Sequence, residues 1–102
     1  MRNKIGISGV SGRIGGRLIK LVLEDPKFNL HAGTVSASSQ YLNTDLGKLL
    51  GSEELGVKAT NNYSHSDIWI DFSTPDAFDK VLMHCIATKT PLVTGTTGLS
   101  QN

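Results

Sequence analysis

Gly9, Gly12 and Gly15 recur at every third position, directly after a short apolar run and at the opening of a stretch with helical periodicity. Glycine lets the chain turn sharply and lets a bound group come close to the backbone, while the unpaired amides that open a helix attract anions. The segment Gly9-Val10-Ser11-Gly12-Arg13-Ile14-Gly15 therefore suits the pyrophosphate of a dinucleotide. Its spacing is one residue longer in its first half than the G-x-G-x-x-G fingerprint. A tight turn required only by helix and sheet packing is the alternative reading.

A nucleotide bound there would meet the residue following the second strand, where Asp or Glu usually holds the adenosine 2′-hydroxyl. Val35 and Ser36 stand at that place, followed by Ser38 and Ser39, with no carboxylate. The absence of an acid leans toward a 2′-phosphate, hence NADPH over NADH, with Arg13 and the serine hydroxyls as candidate partners. Two further loops carry suitable groups: Phe72-Ser73-Thr74-Pro75, and Gly95-Thr96-Thr97-Gly98, whose hydroxyls and amides suit a ribose or carboxamide. Asp76 fits the first turn of a helix, where it complements the dipole, and Asp71 a strand end, where it orders the neighbouring loop. His31, His65 and His84 share no ligand spacing, and Cys85 falls on an apolar stripe, so neither metal nor thiol chemistry is expected.

The elements that must position these loops alternate. Lys4–Ser8 reads as a first strand, and Arg13–Glu24 as a helix with Ile14, Leu18, Leu21 and Val22 on one face. Phe28–Val35 follows as a strand, then a short helix around Asp45–Leu50 and a short strand near Val57–Ala59. Asp67–Phe72 is an apolar strand of the doubly covered kind, followed by a helix capped by Ser73 or Thr74, with Pro75 in its first turn. Phe78, Val81, Leu82, Cys85 and Ile86 form that helix's stripe, and Leu92–Thr94 is the last strand. Strand and helix in alternation predict an α/β, Rossmann-like open parallel sheet with helices on both faces, its ligand loops at the carboxyl ends of the strands.

At 102 residues the chain is the size of one domain, and 38% hydrophobic with 19% charged residues is enough to build a core. A net charge of +1 with scattered cations provides no general field for nucleic acid or anionic lipid and argues against such a role. Leu18–Leu23 is broken by Lys20 and followed by Glu24, so no membrane span is expected. One cysteine rules out an internal disulfide and fits a reducing compartment, so a cytoplasmic location is the expectation.

The glycine segment, Ile70-Asp71-Phe72-Ser73-Thr74-Pro75 and Val93-Thr94-Gly95-Thr96-Thr97-Gly98, in this order along the whole chain, resemble the dihydrodipicolinate reductases (4-hydroxy-tetrahydrodipicolinate reductases) of bacterial lysine biosynthesis. The resemblance implies that Gly9, Val10, Ser11, Gly12, Arg13 and Ile14 wrap a pyrophosphate. It further implies that Phe72 and Ser73 border the nicotinamide half of NADPH or NADH, and that Gly95, Thr96 and Thr97 contact its ribose and carboxamide. Ile14 stands where Met is common in the family, Val35 where an acidic ribose ligand is found, and Ser36 where some members carry Arg, so dual cofactor use is also open. The resemblance implies a nucleotide-binding domain over residues 1–102, catalytic residues in a substrate domain beyond Asn102, and a homotetramer for the full-length protein. An isolated nucleotide-binding sensor or scaffold, or another amino-acid-pathway dehydrogenase of the aspartate-semialdehyde type, remain as alternatives.

Overall fold

A computed structural model describes residues 3–95. The elements are β1 (Asn3–Ser8), α1 (Arg13–Glu24), β2 (Phe28–Thr34), α2 (Leu46–Leu49), β3 (Ala59–Thr60), β4 (Ile68–Asp71), α3 (Pro75–Thr88) and β5 (Leu92–Thr94). The five strands form one parallel sheet in the order β3-β2-β1-β4-β5. The chain winds outward from β1 through α1 to β2, then returns to β4 on the other side and passes through α3 to β5. The order therefore reverses between β1 and β4, which is where open α/β sheets form a crevice at their carboxyl ends.

Alternation along the strands sorts side chains onto two faces. Ile5 and Ile7 of β1, Leu30 of β2, and Ile68 and Ile70 of β4 pack with Ile19 and Val22 of α1. Trp69 of β4 and Ala32 of β2 pack on the opposite face with Val81 and Cys85 of α3. Between β1 and β2 the register steps from Ile5↔Leu30 to Gly6↔Ala32, leaving His31 as an extra residue. This bulge puts Leu30 and Ala32 on opposite faces although they are two residues apart, so each feeds a different core.

Several boundaries and faces differ from the sequence expectation. Leu21 is 60% and Ile14 49% exposed, and α1 buries Gly15 and Ile19 in their place together with the expected Val22. Apolar residues lie around much of this helix, and the close approach at Gly15 selects the face. In α3 Val81 and Cys85 are buried but Ile86 is exposed. β2 ends at Thr34, one residue early, with the Val35 amide donating to the Thr60 carbonyl. The strand expected at Val57–Ala59 is displaced to Ala59–Thr60, because Lys58 is drawn into an antiparallel bridge with Asp45 and the Val57 carbonyl accepts from the Leu46 amide. α2 is one short turn, capped by the Asp45 side chain, which accepts from the Gly47 amide. Among the described residues no helix is long and apolar enough to cross a membrane.

Candidate functional site

The loops at the carboxyl ends of β1, β2 and β4 enclose a cleft of about 790 Å³. Gly9, Ser11 and Gly12 form one wall, Phe72 and Ser73 another, and Ser36 and its neighbours a third. The three glycines of the first loop answer to different constraints. Gly9 has φ +91°, and a Cβ there would come within 2.9 Å of the Ser73 Cα, so the β1–α1 and β4–α3 loops touch at this point. A Cβ on Gly15 would come within 2.7 Å of the Val10 Cα, so the helix start lies directly on the loop. Gly12 has φ −84° and ψ 172°, a conformation open to any residue, and a Cβ there would meet nothing closer than the Gly9 carbonyl oxygen at 4.0 Å. Packing of the described chain thus explains Gly9 and Gly15 and leaves Gly12 unexplained.

The amides of the same loop divide in a similar way. Gly9 and Val10 both donate to the Thr34 carbonyl, at 3.1 and 3.0 Å, which ties the loop to β2. Gly12 caps α1 without a side-chain hydrogen bond, so the first amides of that helix, beside the cleft, are left for an outside acceptor. The Val10 side chain is buried in the core, and Ile14 is half-exposed on α1 without lining the cleft. Arg13 opens α1, and its side chain lies outside the described residues.

Asp71, fully buried at the end of β4, organises the second wall. Its carboxylate accepts from the Ser73 amide at 3.3 Å, from the Ser73 hydroxyl, and from the Thr94 hydroxyl at 3.1 Å. The Asp71 carbonyl accepts from the Gly95 amide at 2.9 Å, and the Phe72 ring covers Gly95 where a side chain would stand. Thr74 then caps α3 by accepting from the Ala77 amide at 3.3 Å, with Pro75 at the helix start and Asp76 in its first turn. Gly95 is thereby anchored to β4, while Thr96 and Thr97 lie outside the described residues.

The structure brings Gly9, Ser11, Gly12, Ser36, Phe72 and Ser73 to one cleft, and does not bring the side chains of Val10 and Ile14 there. It also adds groups absent from the sequence reading. Tyr41 and Asn61 line the cleft, as does Tyr63, whose hydroxyl bonds with the Ser8 hydroxyl at 3.3 Å and reaches the Ala77 carbonyl at 3.5 Å. Lys80 lines it from α3. Lys80 follows Asp76 by four positions, the helical spacing that puts both on one face, and this was the available signal for it. The cleft end of β2 presents serine hydroxyls without a carboxylate, as the sequence indicates, with Ser36 and Ser38 bonded to each other at 3.2 Å.

His84 packs against Tyr63 and Trp69, with ring centroids at 5.8 and 6.0 Å, and His31 sits in the β2 bulge. Among the described residues no group of three or more His, Cys, Asp and Glu side chains could hold a metal ion. Cys85 is buried, and desolvation pushes its thiol pKa up, away from nucleophilic reactivity.

A parallel sheet in the order β3-β2-β1-β4-β5, with a glycine turn after its central strand and helices on both faces, defines a domain of the Rossmann class. Its fold superimposes on a crystal structure of aspartate semialdehyde dehydrogenase with NADP from Candida albicans with a TM-score of 0.77, covering 100% of this chain and 32% of that one. At 15% identity that likeness speaks for the fold alone. The chain belongs to the dihydrodipicolinate reductase family, matching the family model described as "Dihydrodipicolinate reductase, N-terminus" over residues 3–102. It is 40% identical over 103 residues to a 4-hydroxy-tetrahydrodipicolinate reductase of Pseudoalteromonas atlantica, covering 97% of this chain and 39% of the relative. A second such reductase, from Rhodopirellula baltica, is 36% identical, covering 92% of this chain and 36% of the relative. The chain thus spans less than half the length of the relatives it matches.

Proposed function

We propose that this chain is the cofactor-binding part of an NAD(P)H-dependent 4-hydroxy-tetrahydrodipicolinate reductase, with the substrate and the catalytic residues held by a further domain. The observation that carries the proposal is Gly12, a glycine that neither its backbone angles nor its neighbours require. A group lying against the backbone at that point gives it a reason, and the uncapped amides at the start of α1 give that group's negative charge a partner.

The residues fit a dinucleotide laid across the carboxyl ends of the strands. Ser11 and Gly12 hold the pyrophosphate, and Ser36 lies toward the adenosine ribose. Phe72 and Ser73 border the nicotinamide half, to which the family resemblance also assigns Gly95, Thr96 and Thr97. When bound, the nicotinamide supplies the hydride that reduces the substrate. The chain itself orients: Asp71 fixes the Ser73 loop and the strand leading to Gly95 relative to each other, and the Gly9–Ser73 contact fixes both against the glycine turn.

Thermal unfolding of the chain with and without NADPH and NADH tests the proposal. At ten times the dissociation constant a ligand of the native state adds about 1.4 kcal/mol, which raises the melting temperature by several degrees in a domain of this size. A rise with either dinucleotide is expected. No rise with either at millimolar concentration would contradict it.

A further inference from the structure

We propose that Lys80 selects NADPH by pairing with the 2′-phosphate of the adenosine ribose. The proposal rests on the dinucleotide reading above and assigns the charge that the sequence leaves without a clear carrier.

Every charged side chain described on the cleft wall belongs to α3: Asp76 in its first turn, and Lys80 one turn later. Lys80 is exposed on the cleft wall one helical turn beyond Asp76, where its ammonium can reach a ligand. Asp76 sits where the α3 amides offset its charge, so Lys80 is the cation that this wall offers a ligand. Across from α3, the loop after β2 offers Ser36, Ser39 and Gln40, all hydrogen-bonding and none anionic. A carboxylate there would bind the 2′-hydroxyl of NADH and repel a phosphate, whereas hydroxyls accept either.

Among the described residues the phosphate would meet neutral donors on one side and one cation on the other. NADH offers Lys80 no phosphate at this place, so the lysine discriminates between the two cofactors and leaves the shared pyrophosphate contacts unchanged. Because Lys80 is exposed, its attraction is screened by salt, and the preference for NADPH should weaken as ionic strength rises.

The test compares dissociation constants for NADPH and NADH in the wild-type chain, Lys80→Met and Lys80→Arg, with 2′,5′-ADP and 5′-AMP as probes of the phosphate alone. Methionine keeps helix propensity at this exposed site, so the variant should fold as the wild type does. Lys80→Met should lower the NADPH-over-NADH preference about tenfold, or about 1.4 kcal/mol, with NADH affinity unchanged. Lys80→Arg should retain the preference. An unchanged preference in Lys80→Met, with both dinucleotides still bound, would overturn the role of Lys80 and leave the cofactor reading standing. Failure of the wild-type chain to bind either dinucleotide would overturn both.

Discussion

The hydroxyl of Thr94 donates to the carboxylate of Asp71 at 3.1 Å, across the directly paired residues that end β5 and β4. The same carboxylate accepts from the Ser73 amide and hydroxyl, so one buried side chain ties together the origins of two loops. Asp71→Ala removes an acceptor that these donors share inside the protein. Its expected cost is about 2 kcal/mol of unfolding free energy. Urea denaturation measures this, and a variant as stable as the wild type would show that the carboxylate does not hold the loops.

Asp45 gives the fold a pH dependence of known sign. The Leu55 amide, opposed by burial and reinforced by the amides of Gly47, Gly56 and Val57, holds this carboxyl below the usual aspartate range. A group with a depressed folded pKa stabilises the fold fully above its unfolded value, about 3.9 for aspartate, and loses that contribution as the pH falls through the lower folded value. The stability gap between wild type and Asp45→Asn should be widest near neutral pH and narrow below about pH 4. Melting curves from pH 6 to pH 3 check this; a gap that stays constant or widens in acid would contradict it.

Cys85 is 3% exposed, and burial pushes its thiol pKa up. An aromatic disulfide reagent should therefore label it at a rate set by protein opening and label it promptly in denaturant. Prompt labelling of the folded chain would place the thiol at the surface.

Much of the fold was legible because its signals are local. The glycine turn, the Asp25-Pro26 stop and the Thr74-Pro75 start are short-range chemistry, and α1 and α3 occupy the expected positions. Long-range choices were less legible. Ile14, Leu18, Leu21 and Val22 make a valid helical stripe, but the approach of α1 to the loop at Gly15 turns Leu21 and Ile14 outward and Ile19 in. The segment between β2 and β4 is held by the Asp45 carboxylate reaching the amides of Leu55 and Gly56, a contact with no periodic trace in the sequence. In the candidate site, the loop residues could be read because each follows a strand. Tyr63 could not, because tertiary packing brings it to the cleft, and Lys80 left only its four-residue spacing from Asp76 as a trace.

The three glycines of the first loop allow stability and binding to be separated. Gly15→Ala would force the helix start off the Val10 backbone, and should cost about 1–3 kcal/mol of stability. Gly12→Ala has room for its Cβ and an ordinary backbone conformation, so the fold should remain within about 0.5 kcal/mol of the wild type. The most direct measurement is a calorimetric titration of NADPH into the wild-type chain and into Gly12→Ala, with unfolding of both recorded in parallel. A variant that is as stable as the wild type yet binds at least about tenfold more weakly, about 1.4 kcal/mol, is the predicted result. A stable Gly12→Ala chain that binds NADPH as tightly as the wild type would contradict a dinucleotide lying against this loop.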